Sequence, residues 1–309
     1  MNTWFEYILF RAVRAIARKL PFQVASRVGS SLGMAVFRWT SVRRKVTREN
    51  LLHAFPGLSE QEHETIAAGA YRNYGRAILE FLWCGGASEV ELRSIMRLAN
   101  GEVAREALAR GKGLILLSGH YGSWELILPC MRLLLGWPLL VIVQRQRNEK
   151  IDALIDAQRR RFDTQSVPMG QSVREVLKVL HDKKVLILLG DQSGSKESVY
   201  VPFFGRPAAT HRGTAAFALK SGAPLVMFFL VRQTDGTYLV NFEEVESSDL
   251  HGSGSDKVDE LTRRHVAVLE RHIRLHPDHW LWMHKRWKHT SQREAPADAM
   301  PGATQDTLA

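Results

Sequence analysis

The stretch Leu114–Glu125 reads Leu-Ile-Leu-Leu-Ser-Gly-His-Tyr-Gly-Ser-Trp-Glu. It changes character twice within a short span. Leu114–Leu117 is an unbroken aliphatic run, the pattern of a buried strand. Ser118–Ser123 then supplies two glycines around a single histidine, the composition of a tight turn. Trp124, Glu125 and the apolar residues after them open a helix. The stretch is therefore a strand, a glycine-rich turn and a helix start, with His120 in the turn and Glu125 five residues later.

The same texture continues toward the C-terminus. Strands are expected at Leu139–Val143, Val185–Leu189, Leu225–Leu230 and Tyr238–Phe242. Helices are expected over 102–110, 124–135, 149–161, 172–182, 211–221 and 256–276. Strands alternating with helices indicate an α/β fold with a largely parallel central sheet flanked by helices. Sheets of this kind place their sites beyond the carboxyl ends of strands. His120, Arg145 and Asp191 each sit just past a predicted strand and are expected to share one site.

Upstream of residue 100 the chain is mainly helical and basic. Residues 4–20 have Leu9, Val13, Ile16 and Leu20 on one helical face and Arg11, Arg14 and Arg18 on the other, with Trp4, Phe5, Tyr7 and Phe10 in the first turns. An aromatic and aliphatic face opposite arginines suits a helix lying in a membrane interface. Pro21 ends it. A second helix, 22–40, carries Gly29 and Gly33 at a spacing that permits close helix contact. Arg43-Arg44-Lys45 and Arg48 follow, and Ser59 with Glu62 forms a capping-box pattern opening a helix to residue 84. The organisation read from the sequence is a helical, membrane-associating region over 1–100, an α/β core over 101–289 and a disordered tail over 290–309.

Composition narrows the partners. The 309 residues include 42 Lys+Arg against 32 Asp+Glu, a net charge of +10. Such a balance suits an anionic membrane surface, anionic lipid or nucleic acid. No nucleic-acid motif accompanies it, so nucleic acid is not the expected partner. The two cysteines, Cys84 and Cys130, lack metal or redox spacing. The longest apolar tract, Leu126–Val143, is divided by Arg132 and Gly136-Trp137-Pro138, so no transmembrane helix is expected. The N-terminus has no small-residue cleavage site after an apolar core, so no secretory signal is expected.

A neutral imidazole near a carboxylate can accept a proton from a hydroxyl at neutral pH. The carboxylate fixes the tautomer and stabilises the imidazolium that forms. His120 and Glu125 are candidates for such a pair. Ser193, in Gly190-Asp191-Gln192-Ser193-Gly194, lacks the spacing of a nucleophilic serine. A base without a protein nucleophile points to a substrate that brings its own hydroxyl.

Several stretches, in order, resemble the bacterial lipid A biosynthesis (late or secondary) acyltransferases. They are Asn50-Leu51 with Ala54-Phe55-Pro56, and His120-Tyr121-Gly122-Ser123-Trp124-Glu125, close to that family's His-Phe-Gly-Asn-Trp-Glu. Next come Arg145 with Asn148, Gly190-Asp191-Gln192, Val201-Pro202-Phe203-Phe204-Gly205 and Ala209-Thr210. Last is Pro277–Lys288, Pro-Asp-His-Trp-Leu-Trp-Met-His-Lys-Arg-Trp-Lys. The resemblance runs from about residue 5 to 289. Tyr121 and Ser123 depart from the usual motif, and Gln144–Asn148 is richer in cations and amides than the family's run.

The resemblance implies a glycerolipid-acyltransferase-like fold and a membrane-associated O-acyltransferase. It would move a fatty acyl chain from acyl carrier protein to a hydroxyl of a lipid A precursor, at the cytoplasmic face of the inner membrane, with no cofactor and no metal. Its partners would be acyl carrier protein, an anionic lipid acceptor and the inner-membrane surface. His120 would deprotonate the acceptor hydroxyl while Glu125 orients and polarises it. Arg145 or Arg147, Asp191 and Gln192, and the Phe203-Phe204-Gly205-Arg206 segment would hold the oxyanion, the acyl chain or an acceptor phosphate. In the closing segment the tryptophans are expected in the core and the cations on phosphate or at the surface. A different acceptor (another glycolipid, an aminolipid or a phosphatidylinositol mannoside) fits the same motifs.

Overall fold

The computed structural model describes residues 3–170, 173–195 and 198–290. Helices come first: α1 (Thr3–Ala17), α2 (Phe22–Trp39), α3 (Arg44–Ala54), α4 (Glu60–Cys84) and α5 (Glu89–Ser94). Ser59 caps α4 and Ser88 caps α5. Each accepts the N3 backbone N–H, while the N3 glutamate accepts from the cap's own N–H. Helices α2 and α4 cross at backbone contact. A Cβ on Gly29 would stand 2.5 Å from the Gly75 carbonyl oxygen, so only glycine permits the crossing. The Gly29 and Gly33 spacing thus marks a real helix interface.

From β1 (Met96–Leu98) onward strands alternate with helices: α6 (Gly101–Ala109), β2 (Leu114–Ser118), a mixed helical segment over 124–135 containing α7 (Ile127–Cys130), β3 (Leu139–Val143), α8 (Glu149–Arg160) and β4 (Thr164–Pro168). Then follow α9 (Val173–His181), β5 (Val185–Leu189), β6 (Val199–Phe203), β7 (Arg206–Thr210), α10 (Gly213–Ser221), β8 (Leu225–Arg232), β9 (Tyr238–Glu244) and α11 (Gly254–Leu275). Among the described residues the strands form a seven-stranded sheet, ordered β1-β9-β8-β2-β5-β3-β4, and a separate hairpin, β6-β7. Strands β8, β2, β5, β3 and β4 run parallel, and β9 is antiparallel to β8. The α/β expectation holds.

Strand β2 lies at the centre of the sheet. Ile115 and Leu117 pack into the core on one face, Leu114 and Leu116 into the core on the other. Both faces are covered, which is why the run is aliphatic throughout rather than alternating.

Five predicted strands are present, two of them exact. Strands β1, β4, β6 and β7 and helices α3 and α5 were not anticipated. β4 ends on Pro168 at the sheet edge, where a missing N–H is tolerated but the strand pattern is spoiled. The β6–β7 turn is Phe204-Gly205, both at positive φ (50° and 72°). A two-residue hairpin loop requires this geometry, and a phenylalanine does not announce it. The predicted helix over 124–135 is a 3-10 turn, one α turn and a π segment. The expected tail falls almost entirely on 291–309, which lies outside the described residues.

Helix α1 divides its apolar residues. Phe10, Val13 and Ala17 pack on Leu79 and Leu82 of α4. Phe5, Ile8, Leu9 and Ile16 face outward. On α2, Val24, Val28, Leu32 and Val36 form an exposed row at four-residue spacing. No described helix is long and apolar enough to cross a membrane.

Candidate active site

The register Ser118↔Leu189 between β2 and β5 sets the site. His120 and Asp191 each lie two residues beyond that last pair, so adjacent strands deliver them side by side. His120 Nδ1 is 2.8 Å from Asp191 Oδ1. The His120 backbone N–H donates to Asp191 Oδ2 at 2.8 Å. Trp280 Nε1–H donates to the same oxygen at 2.9 Å. Asp191 is buried, its side chain 3% exposed, whereas the His120 ring is 20% exposed. The inner nitrogen is therefore occupied and the outer one, Nε2, is open to a substrate. The Gln192 side-chain nitrogen lies 3.5 Å from it.

Burial opposes a charged imidazole, but the charge and hydrogen bond of Asp191, with a further contribution from Glu125, outweigh it and raise the His120 pKa above 6.5. Burial also pushes Asp191 up. The His120 charge and ring N–H, the His120 backbone N–H and the Trp280 N–H override that and hold it at about 2. The pair is thus a carboxylate fixing an imidazole in the Nδ1–H tautomer.

The turn is held from outside. Gly122 has φ +58°, and its N–H donates to the His279 carbonyl at 2.9 Å while Leu281 N–H donates to the His120 carbonyl at 3.1 Å. The closing segment therefore lies directly on the turn. Asn50 Nδ2 in turn donates to the carbonyls of Trp282 (2.7 Å) and His284 (2.6 Å). Stretches near residues 50, 120, 190 and 280 thus meet at one place. The model for bacterial lipid A biosynthesis acyltransferases matches residues 1–289.

The chain belongs to this family. The acyltransferase is 26% identical over 272 residues to the lipid A biosynthesis lauroyltransferase of Escherichia coli (strain K12), and 23% identical over the same length to the palmitoleoyltransferase of that organism. Each comparison covers 87% of both chains. It is also 22% identical over 185 residues to the phosphatidylinositol mannoside acyltransferase of Mycolicibacterium smegmatis, covering 59% of each.

The other predicted residues of the acyltransferase separate into groups. The carboxylate on the imidazole is Asp191, not Glu125. The 3-10 turn at Trp124–Leu126 carries Glu125 toward α8, where Arg159 holds it through Nη2 and Nε. Arg145 does not join His120. It pairs with Asp152 at 2.8 Å on the surface, because Asp152 lies on the first turn of α8, just after the loop. Arg147 pairs with Glu6 of α1 at 2.5 Å. Phe203 is a core residue against Trp280 and Trp287, and Phe204 packs on Phe55 and Trp282. Arg206 is exposed on the hairpin. Trp280 and Trp282 are buried as expected.

Arg286 corrects the expectation for the closing cations. It is fully buried, bonds the Ala209 carbonyl and Thr210 Oγ1 at 2.6 Å each, and lies over the Phe203 ring. Burial lowers its pKa to about 10. It ties the closing segment to β7.

Three contributors escaped the sequence reading. Arg159 is the partner of Glu125. His284 accepts the Ser193 N–H at 3.1 Å beside Asp191. Glu80 of α4, fully buried, accepts from Ser123 Oγ and from Tyr238 OH at 2.7 Å, and so anchors the second half of the turn. An acidic residue among Ala77, Leu79 and Leu82 on a buried helix face was the available signal.

Proposed function

We propose that this acyltransferase moves a fatty acyl chain from acyl carrier protein to a hydroxyl of a lipid A precursor at a membrane surface. The observation that carries the reading is the buried Asp191 on His120 Nδ1, which leaves Nε2 as the one nitrogen facing a substrate. Among the described residues no serine, threonine or cysteine side chain is hydrogen-bonded to His120. The hydroxyl to be activated then belongs to the acceptor.

In this reading His120 Nε2 takes the acceptor hydroxyl proton as the oxygen attacks the thioester carbonyl carbon. Asp191 stabilises the imidazolium. The Gln192 amide, 3.5 Å from Nε2, is a side-chain donor for the oxyanion that develops. When the tetrahedral intermediate collapses, the carbon–sulfur bond breaks and the imidazolium returns a proton to the leaving thiolate. Glu125 adds negative potential from its Arg159 pair and does not itself bond the imidazole. Arg206 is exposed and available to the acceptor phosphates, whereas Arg145 and Arg147 would reach them only beside or in exchange for their Asp152 and Glu6 partners.

Membrane contact is supported by the exposed row Val24, Val28, Leu32 and Val36 on α2 and by Phe5, Ile8, Leu9 and Ile16 on α1. Arg11 of α1 and Arg27 and Arg38 of α2 are exposed on the same two helices. An apolar face with cations on the same helices suits an anionic lipid surface at the cytoplasmic face of the inner membrane.

The test is purified protein with an acyl carrier protein thioester and a lipid A precursor bearing 3-hydroxyacyl chains, read by mass spectrometry. The expected product gains one acyl chain and His120→Ala makes none. A wild-type protein that leaves the precursor unchanged would sink the proposal. A phosphatidylinositol mannoside is the second acceptor to try, because a phosphatidylinositol mannoside acyltransferase aligns with this chain over 185 residues at 22% identity.

A further inference from the structure

Two aromatic rings, Tyr74 and Trp124, lead from the surface to the imidazole. Tyr74 lies on α4, one turn before Ile78. They are 37% and 39% exposed. Gly29 meets Gly75 and Gly33 meets Tyr71, so α2 and α4 run antiparallel, and the residues just before the contacts, Val28 and Leu32 on α2 and Tyr74 on α4, fall on the same side of the pair. The Tyr74 ring stacks on Trp124, with centroids 6.2 Å apart and planes at 21°. The half-buried Trp124 ring then meets His120 edge-on at 5.1 Å. The backbone contact between Gly29 and Gly75, next to Tyr74, fixes α4 against α2 and so fixes the first ring. The row is continuous with the apolar face at one end and with the base at the other.

We propose that the acceptor's hydroxyacyl chain reaches His120 sideways from the apolar face, lying on a ledge formed by Tyr74 and Trp124. The proposal rests on the acyl-transfer reading above and assigns these two residues a role in binding the acceptor. The occupant is an aliphatic chain because the ledge presents ring faces, and methylenes gain dispersion contacts on them. A sugar headgroup would leave its hydroxyls unpaired there. The occupant comes from the acceptor because the chain bearing the reacting hydroxyl must end at Nε2, and the ledge ends at the imidazole. A lipid that moves along the apolar face never has to expose its chain to water, and the rings shield the base from water as the chain arrives.

The experiment has two arms on the full chain in anionic mixed micelles. In the first, acceptor (a lipid A precursor with 3-hydroxyacyl chains) and donor (dodecanoyl acyl carrier protein) are varied separately. Tyr74→Ala is expected to raise the KM for acceptor about three- to ten-fold with the KM for donor unchanged. Tyr74→Phe, which keeps the ring, is expected to recover most of the acceptor KM lost in Tyr74→Ala, and Val90→Ser, at an exposed site on α5, is expected to behave as wild type. A rise in donor KM instead, or no change in either, overturns the proposal. In the second arm, the His120→Ala protein is photolysed with a 3-hydroxyacyl amphiphile carrying a diazirine in its chain. Label is expected in peptides containing Tyr74 or Trp124, and label elsewhere overturns the proposal. Because this arm needs no turnover, label on the ledge without wild-type transfer would refute the proposed reaction and leave the ledge standing. Transfer without that label would do the reverse.

Discussion

Replacing Asp191 by Asn tests the assignment of the base most directly. Asp191 Oδ2 accepts two fixed donors, the His120 backbone N–H and the Trp280 indole N–H, and Oδ1 faces His120 Nδ1. An asparagine at this site places its carbonyl oxygen toward the two fixed donors. Its NH2 is then left facing Nδ1. The imidazole must respond by accepting at Nδ1 and carrying its proton on Nε2, the wrong tautomer for a base. Loss of a base through the wrong tautomer lowers kcat about 10,000-fold in a comparable constellation, about 5.5 kcal/mol in the barrier.

The charge change has its own signature. His120 acts as a base only when neutral, so wild-type activity falls as pH drops through its raised pKa, and the acid limb of kcat/KM lies above pH 6.5. Without Asp191 burial becomes the dominant influence, and the residual acid limb moves to lower pH. Stability follows the same pair. Asp191, with its pKa lowered to about 2, contributes above its ordinary value of 3.8 and loses that contribution as pH falls toward 2. His120, with its pKa raised, contributes below 6.5 and loses that contribution as pH rises through the folded value. The difference in Tm between wild type and Asp191→Asn is therefore largest between about pH 4 and 6.5. Steady-state kinetics across pH, with thermal melts of the same samples, are the assay. A variant that keeps more than about a tenth of wild-type kcat/KM, or an acid limb that does not move, would refute the reasoning.

Other expectations follow from separate contacts. Glu125→Gln leaves the part-buried Arg159 guanidinium unpaired and is expected to destabilise by about 3 kcal/mol, a Tm loss of about 5 °C or more. Adding Arg159→Leu should recover part of that loss, and a double variant no more stable than the single would count against the pairing. Arg286→Ala removes two buried hydrogen bonds and opens a cavity against Phe203, so a loss of about 3 kcal/mol is expected in denaturant titration. Wild-type stability there would contradict the buried placement. Leu32→Asp together with Val28→Asp, on the exposed row of α2, should cut sedimentation with vesicles containing anionic phospholipid at least ten-fold while leaving Tm within about 2 °C. Unaltered vesicle binding would remove α2 from the lipid-facing surface.

What the sequence by itself determined was local. Aliphatic runs bounded by turn residues marked the central strands, and Leu139–Val143 and Val185–Leu189 were found to the residue. Ser59 with Glu62 marked the start of α4. The isolated histidine in a glycine turn marked the position of the candidate site, since strand ends and turns are encoded within a few neighbouring residues. Only the tertiary structure decided which carboxylate serves His120. Glu125 is five residues away yet is carried off by a 3-10 turn to Arg159. Asp191 is 71 residues away yet adjacent, because β5 pairs beside β2 in register. Such pairing is fixed by sheet order and by the packing of both faces, and no window of local pattern contains it. Arg286 teaches the same point. A cation in a surface-like segment is buried because its partners, the Ala209 carbonyl and Thr210 Oγ1, lie at the end of a strand more than 70 residues earlier.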